Sequence, residues 1–200
     1  MTSSVIQRLV QGRLQNNVFV TAVEQTAAQC QRLETHATLV MIELQSSPSH
    51  LVGQRSGETA AQTILDITVD ITAHIQPNLR STDQVFPCQH GQVAVLLPDT
   101  HMRDAVCLAE RLRTRLDELS HNNAKGKRLF SSIGVAQRLA SESPQDWINR
   151  ATHMREHAKA MGQSWLSFDP ASDVQTQTAG LHEQRQSSSQ SLYRLGVAGA

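Results

Sequence analysis

Residues 80–98, RSTDQVFPCQHGQVAVLLP, limit the possible folds of this chain more than any other stretch. Val93 to Leu97 is an unbroken apolar run stopped by Pro98, which suits a strand buried on both faces. Gln89, His90, Gly91 and Gln92 supply a polar turn, and a shorter strand precedes it, so the stretch reads as a hairpin with the charged pair Arg80 and Asp83 just upstream. A second run, ATLVMIEL at 37–44, is equally apolar and is closed by the polar segment QSSPSH with its Pro48, so it should be another central strand. Strands covered on both faces need helices to cover them.

Helices are readable on either side. Val5, Ile6, Leu9 and Val10, then Val18, Phe19, Ala22, Val23, Ala27 and Ala28, recur at helical spacing. Gly12 and Asn16-Asn17 interrupt them, so two helices joined by a short turn are expected. Residues 57–75 place Ala61, Ile64, Leu65, Ile67, Val69 and Ile71 among acidic residues and read as a buried helix despite their β-branched content. Asp99 and Thr100 offer an N-cap for a helix running to about Leu119, with Ala105, Leu108, Ala109, Leu112 and Leu116 on its apolar face. Its other face carries Arg103, Arg111, Arg113 and Arg115. Residues 121–127 read as a loop and 128–136 as a strand. Ser143-Pro144 opens a last helix, with Pro144 at its first position, ending near Gly162. Residues 165–168 make a short final strand. The order predicts an α/β (α+β) fold, a mixed and mostly antiparallel sheet flanked by helices. The expected divisions are an N-terminal helical segment 1–35, a globular domain 36–169 and a flexible Gln/Ser/Thr-rich tail 170–200, in which 192–197 is a docking-peptide candidate.

Composition removes several function classes. Eighteen basic and eighteen acidic residues cancel, so no basic field draws the chain to nucleic acid. Cys30, Cys88 and Cys107 are odd in number and lack metal-type spacing, which fits neither a disulfide framework nor a zinc site and points to a reducing cytoplasm. No run approaches the roughly eighteen apolar residues of a membrane span, so no membrane insertion is expected.

The segment D-Q-V-F-P-C-Q-H-G-Q-V-A-V-L-L-P at 83–98 resembles the central hairpin of GGDEF-domain diguanylate cyclases, whose pattern is roughly D-x-V-x-R-Y-G-G-D-E-F-x-V-x-L-P. The frame matches and the signature does not, since Gln89, His90, Gly91, Gln92 and Val93 stand where the family has Gly, Gly, Asp or Glu, Glu and Phe. Elsewhere the likeness is uneven. Of the family's D-x-L-T-G-L-x-N-R, only Gly12 and Phe19 fall in frame. Glu43 and Gln45 occupy the D-x-D that ends the first strand, whose leading Asp holds catalytic magnesium in the family. Gly57-Glu58 resembles the G-D that faces guanine. S-I-G-V-A at 132–136 is intact, and A-T-H-M-R-E-H-A-K-A-M-G at 151–162 keeps Ala158, Lys159 and Gly162 of A-D-x-A-L-Y-x-A-K-x-x-G, with Gln163-Ser164 replacing the following Arg-Asn. The resemblance spans nearly all of residues 1–168 and implies the ferredoxin-like palm of nucleotidyl cyclases.

It also implies chemistry that these residues do not support. Joining two GTP molecules needs carboxylates to hold the magnesium ions that clamp the triphosphate. Gly91 and Gln92 are neutral, Gln89 and His90 add bulk where glycines let backbone approach the nucleotide, and Glu43 alone is a poor site. The chain is therefore expected to be an inactive homologue, with no catalytic residues and no bound metal or other cofactor. Arg80 and Asp83 stand at the family's product-binding R-x-x-D, the inhibitory site for cyclic di-GMP. A guanidinium can bond guanine O6 and N7 or grip a phosphate, while a carboxylate accepts from guanine N1 and N2. Ala109-Glu110-Arg111 stands in the frame of an arginine that completes this site from a second subunit, which allows a homodimer.

The expected function is thus a bacterial cyclic di-GMP effector that signals to an unidentified protein partner. The alternative is a ligand-free interaction or dimerisation module in a secretion, pilus or exopolysaccharide system regulated by cyclic di-GMP. Other groups weigh less. His153 and His157 lie one helical turn apart without a third ligand. Cys88 beside His90 has no evident orienting acid and reads as a replacement for the family's Tyr. Lys159 either binds a phosphate or covers the helix rim.

Overall fold

The computed structural model describes residues 2–46, 71–88, 91–121, 129–162 and 164–169. The described residues belong to one compact unit that ends at Asp169, and Pro170 to Ala200 lie wholly outside them. The expected tail, the loop 122–127, Gln89, His90, Gly57, Glu58 and most of the helix expected over 57–75 also lie outside them.

Among the described residues, five strands form one sheet in the order β2-β3-β1-β4-β5, with β1 Ala37–Ser46, β2 Gln84–Pro87, β3 Gln92–Pro98, β4 Leu129–Gln137 and β5 Trp165–Phe168. Every neighbouring pair is antiparallel except β4 and β5, which are parallel. β1 lies at the centre, and the expected hairpin is β2 and β3. Val93 to Leu97 are all buried, as their uninterrupted apolarity requires.

One face of the sheet carries Val40, Ile42, Leu44, Val93, Val95, Leu97, Ile133 and Val135, covered by the helical residues 71–75 and by α2, Met102–His121. Ala105, Leu108, Ala109, Leu112 and Leu116 form the buried stripe of α2. The other face carries Leu39, Met41, Ala94, Leu96 and Ala136, covered by α1, Thr2–Leu33, and α3, Pro144–Met161. Phe19 of α1 packs on Phe86 of β2 with ring centroids 5.5 Å apart.

Two expectations about helix boundaries are corrected. The N-terminal region is one helix, because α1 runs without a break through Gly12, Asn16 and Asn17. An interior glycine costs about 1 kcal/mol against alanine and asparagine less, which does not stop a helix whose Phe19, Val23, Ala27 and Cys30 are buried on the sheet. It ends in a Schellman turn, with Glu34 at φ 52° and the Thr35 N–H donating to Cys30 O at 3.2 Å.

The second correction is at α2, which begins at Met102 rather than being capped by Asp99 or Thr100. The Thr100 hydroxyl instead donates to Pro98 O, and its carbonyl accepts from Thr38 Oγ1. The Met102 N–H is satisfied from across the fold by Gln137 Oε1 at 2.6 Å. At α3 the expected cap holds: Ser143 Oγ accepts from the Asp146 N–H at 3.1 Å, and Pro144 follows it.

Candidate functional site

Three polar residues lie in one row across the middle of the sheet. Glu43 on β1 pairs in register with Gln92 on β3 and with Ser132 on β4. Strand alternation puts all three on the face that holds Met41, Ala94 and Ala136, beneath α3. The row brings Glu43 and Gln92, two of the positions singled out from sequence, side by side.

From above, α3 places two cations on Glu43. Trp147, Ala151, Arg155 and Ala158 form its buried face, so Arg155 points into the sheet and is only 3% exposed. Its Nη1 donates to Glu43 Oε2, and Nη2 donates to Glu156 Oε1. One turn further, Lys159 Nζ donates to Glu43 Oε1 at 3.0 Å, and Gln45 Nε2 reaches the same oxygen at 3.4 Å. Lys159 is thus engaged with a carboxylate, and its reach to Glu43 comes from the helical i, i+4 spacing. Burial lowers the proton affinity of Arg155 and Glu156 opposes that, but a guanidinium starts so far above neutrality that it stays charged.

Arg155 was not among the residues expected to matter, although the sequence carried a signal for it. The 3.6-residue period puts it in line with Trp147, Ala151 and Ala158, so a charge falls on a buried stripe. The approach of α3 that brings it there depends on Gly134. A Cβ at that position would lie 2.1 Å from Arg155 N and 2.4 Å from Ala151 O.

Magnesium asks for near-octahedral oxygen coordination, supplied by one or two free carboxylates together with waters and substrate phosphates. In the row formed by Gln92, Glu43 and Ser132, Glu43 is the single carboxylate, and both of its oxygens already accept from cationic donors. Gln92 is neutral, and Gly91 serves the backbone: its φ of 75° is a left-handed conformation that glycine takes without a Cβ clash, next to the Cys88 N–H to Gln92 O bond of 2.8 Å that closes the hairpin. These residues do not fit a magnesium ion.

The shoulder of the hairpin has a different character. Residues 80–83 form a tight turn in which the Asp83 N–H donates to Arg80 O at 3.1 Å and Asp83 Oδ2 accepts the Arg80 N–H at 2.7 Å. Asp83 Oδ1 is buried with no hydrogen-bond partner. Arg80 is exposed, and it shares one short loop with Asp83. Arg111 stands on the exposed face of α2 and makes no hydrogen bond or ion pair with either among the described residues.

The remaining candidates separate cleanly. Burial pushes the Cys88 thiol up to about 11, and Cys88 Sγ faces Phe86 O at 3.5 Å, which is the environment of an inert thiol. His157 Nδ1 sits 3.1 Å from Ser167 Oγ, and no group of three His, Cys, Asp or Glu side chains among the described residues is placed to hold a metal ion. No helix among them is long and apolar enough to cross a membrane.

Residues 10–164 match the family described as diguanylate cyclase, GGDEF domain. Among curated proteins, the response regulator PleD of Caulobacter vibrioides is 28% identical over 105 residues, which is 50% of this chain but only 23% of PleD. Among solved structures, the diguanylate cyclase SiaD of Pseudomonas aeruginosa, in complex with its activator SiaC, is similar at a TM-score of 0.64 and 21% identity, covering 76% of this chain and 57% of that one. The coiled coil and GGDEF domain of DgcB from Caulobacter crescentus, in complex with c-di-GMP, is similar at a TM-score of 0.63 and 12% identity, covering 84% and 95%. Likeness at these identities concerns the fold, and the five-stranded sheet with helices on both faces is the one expected from the sequence.

Proposed function

The chain belongs to the GGDEF domain family of diguanylate cyclases, and from that premise we propose that it is a catalytically inactive member that binds cyclic di-GMP through Arg80 and Asp83 and passes occupancy to a protein partner. The observation that carries the reading is the turn at 80–83. Asp83 Oδ2 is spent on the Arg80 N–H, which fixes the loop, while Asp83 Oδ1 is left without a partner and the Arg80 side chain, three residues away, is exposed. An unpaired buried carboxylate oxygen costs free energy that a donor restores, and guanine N1–H and N2–H are such donors. Arg80 supplies the complementary fork for O6 and N7 or for a phosphate.

Inactivity follows from the donor set at the row. With Glu43 bonded to Arg155 and Lys159, and with Gly91 and Gln92 in place of carboxylates, no free carboxylate among the described residues of the row is left to hold the magnesium ions that clamp a triphosphate. Arg111 is exposed and has no hydrogen-bond or ion-pair partner among the described residues, as a residue completing the ligand site of a second copy would. The partner is argued from kinship: the SiaD structure is one of a cyclase with a protein activator.

A ligand-free interaction or dimerisation module is the second reading. It is favoured by the structural duty Asp83 already performs in its turn. Calorimetric titration with cyclic di-GMP and with GTP, on wild type and Arg80→Ala, separates the two. Binding of cyclic di-GMP that the substitution abolishes supports the receptor, and no binding of either nucleotide leaves the module.

A further inference from the structure

We propose that Arg155 supplies, from within the chain, the positive charge that Glu43 would otherwise take from a metal ion, so that this position needs no divalent cation and takes none. The inference deepens the reading of the site as inactive and rests on it, but concerns what has replaced the metal rather than what the protein binds elsewhere.

Glu43 is 8% exposed in the centre of the sheet, where a lone carboxylate would carry an uncompensated charge. A compensating cation has to come from solution or from the protein. Arg155 is buried to a similar degree, and its Nη1 meets Glu43 Oε2. In the family pattern A-D-x-A-L-Y-x-A-K, quoted above for 151–162, its position holds leucine, so this chain has put a cation on an otherwise apolar helix face. The charge count agrees. A cluster of carboxylates calls for a divalent ion, whereas the row Gln92, Glu43, Ser132 holds one negative charge, which a monovalent guanidinium matches. The second cation, Lys159, and the second anion, Glu156, complete a four-residue group with no net charge. Gly134 makes the substitution geometrically possible by letting the α3 backbone at Arg155 settle onto β4.

Two measurements test this. Binding of Mn²⁺, followed through the resonance of the free ion, should be the same for wild type and Glu43→Gln, and the melting temperature of wild type should not rise with millimolar Mn²⁺ or Mg²⁺. Arg155→Leu, which restores the family's residue, should melt several degrees lower because it removes the buried partner of Glu43 Oε2 and leaves only the half-exposed Lys159 as a cation on that carboxylate, and the pair Glu43→Leu/Arg155→Leu should recover most of that loss, since a buried ion pair replaced by apolar side chains is often neutral. Mn²⁺ binding that Glu43→Gln abolishes would overturn the proposal, as would an Arg155→Leu deficit that removing Glu43 fails to relieve. The manganese arm uses a folded wild type and stands even if Arg155→Leu does not fold. A failure to bind cyclic di-GMP would sink the receptor reading without touching either result.

Discussion

Gly134 on β4 and Arg155 on α3 approach so closely that a Cβ on the glycine would lie 2.1 Å from the Arg155 amide nitrogen. Backbone, not a flexible side chain, occupies that space, so the helix itself would have to move. Gly134→Ala should therefore destabilise at the upper end of the overpacking range, about 3 kcal/mol, or about 6–12 °C in melting temperature for a domain of this size. Thermal unfolding followed by circular dichroism reads this directly. A melting temperature within a degree or two of wild type would show that α3 does not pack on β4 as described.

Trp147 anchors the same helix at its other end. Its indole Nε1 donates to Ala136 O at 2.8 Å, and the side chain is fully buried. Trp147→Phe keeps most of the apolar surface but removes this side-chain hydrogen bond, for a loss of about 0.5–1.5 kcal/mol. The conservative change should cost roughly as much as a lost buried hydrogen bond, measurable as a shift in the denaturant midpoint.

The imidazoles of His36 and His101 pack with centroids 4.0 Å apart and their planes tilted by 39°, joining the start of β1 to the start of α2. Burial first, then the neighbouring His101, lower the proton affinity of His36 below its ordinary 6.5, while Asp99 works against them. The folded state thus binds this proton less well than the unfolded chain, so stability from this group is fully present above about pH 6.5 and is lost as pH falls below it. Melting temperature should decline from pH 7.5 to pH 5.5, with a shallower decline in His36→Asn. An unchanged slope in that variant would assign the decline to other groups.

Cysteine chemistry offers an independent check on the hairpin. Cys107 is exposed, Cys30 is buried, and Cys88 is held near a pKa of about 11 by burial. At pH 8 a thiol reagent should modify Cys107 promptly and reach Cys88 only on unfolding. Rapid labelling of Cys88 in the native protein, located by peptide mass, would contradict the packing of β2 and β3.

What the sequence makes legible follows the range of the forces involved. Val93 to Leu97 and 37–44 announce buried strands because an apolar run has few other places to go. Ser143-Pro144 announces a helix because capping is local. Gly12 and Asn16-Asn17 mislead for the opposite reason: their small local cost is outweighed by burial of Phe19, Val23 and Cys30, which periodicity shows only in part. The start of α2 was hidden because its cap, Gln137, lies 35 positions away. The pairing of Glu43 with Arg155 spans 112 positions and could be read only as an unexplained charge on an apolar stripe. The turn at 80–83 was legible as a motif, and the structure adds that Asp83 itself closes it.

Calorimetric titration of cyclic di-GMP into the full chain tests the central claim most directly. Wild type should bind with micromolar affinity. Arg80→Ala should lose at least about tenfold, the worth of one charge-assisted hydrogen bond. GTP with Mg²⁺ should give no heat of binding and no cyclic product. Wild-type affinity retained in Arg80→Ala, or formation of cyclic di-GMP from GTP, would contradict the account.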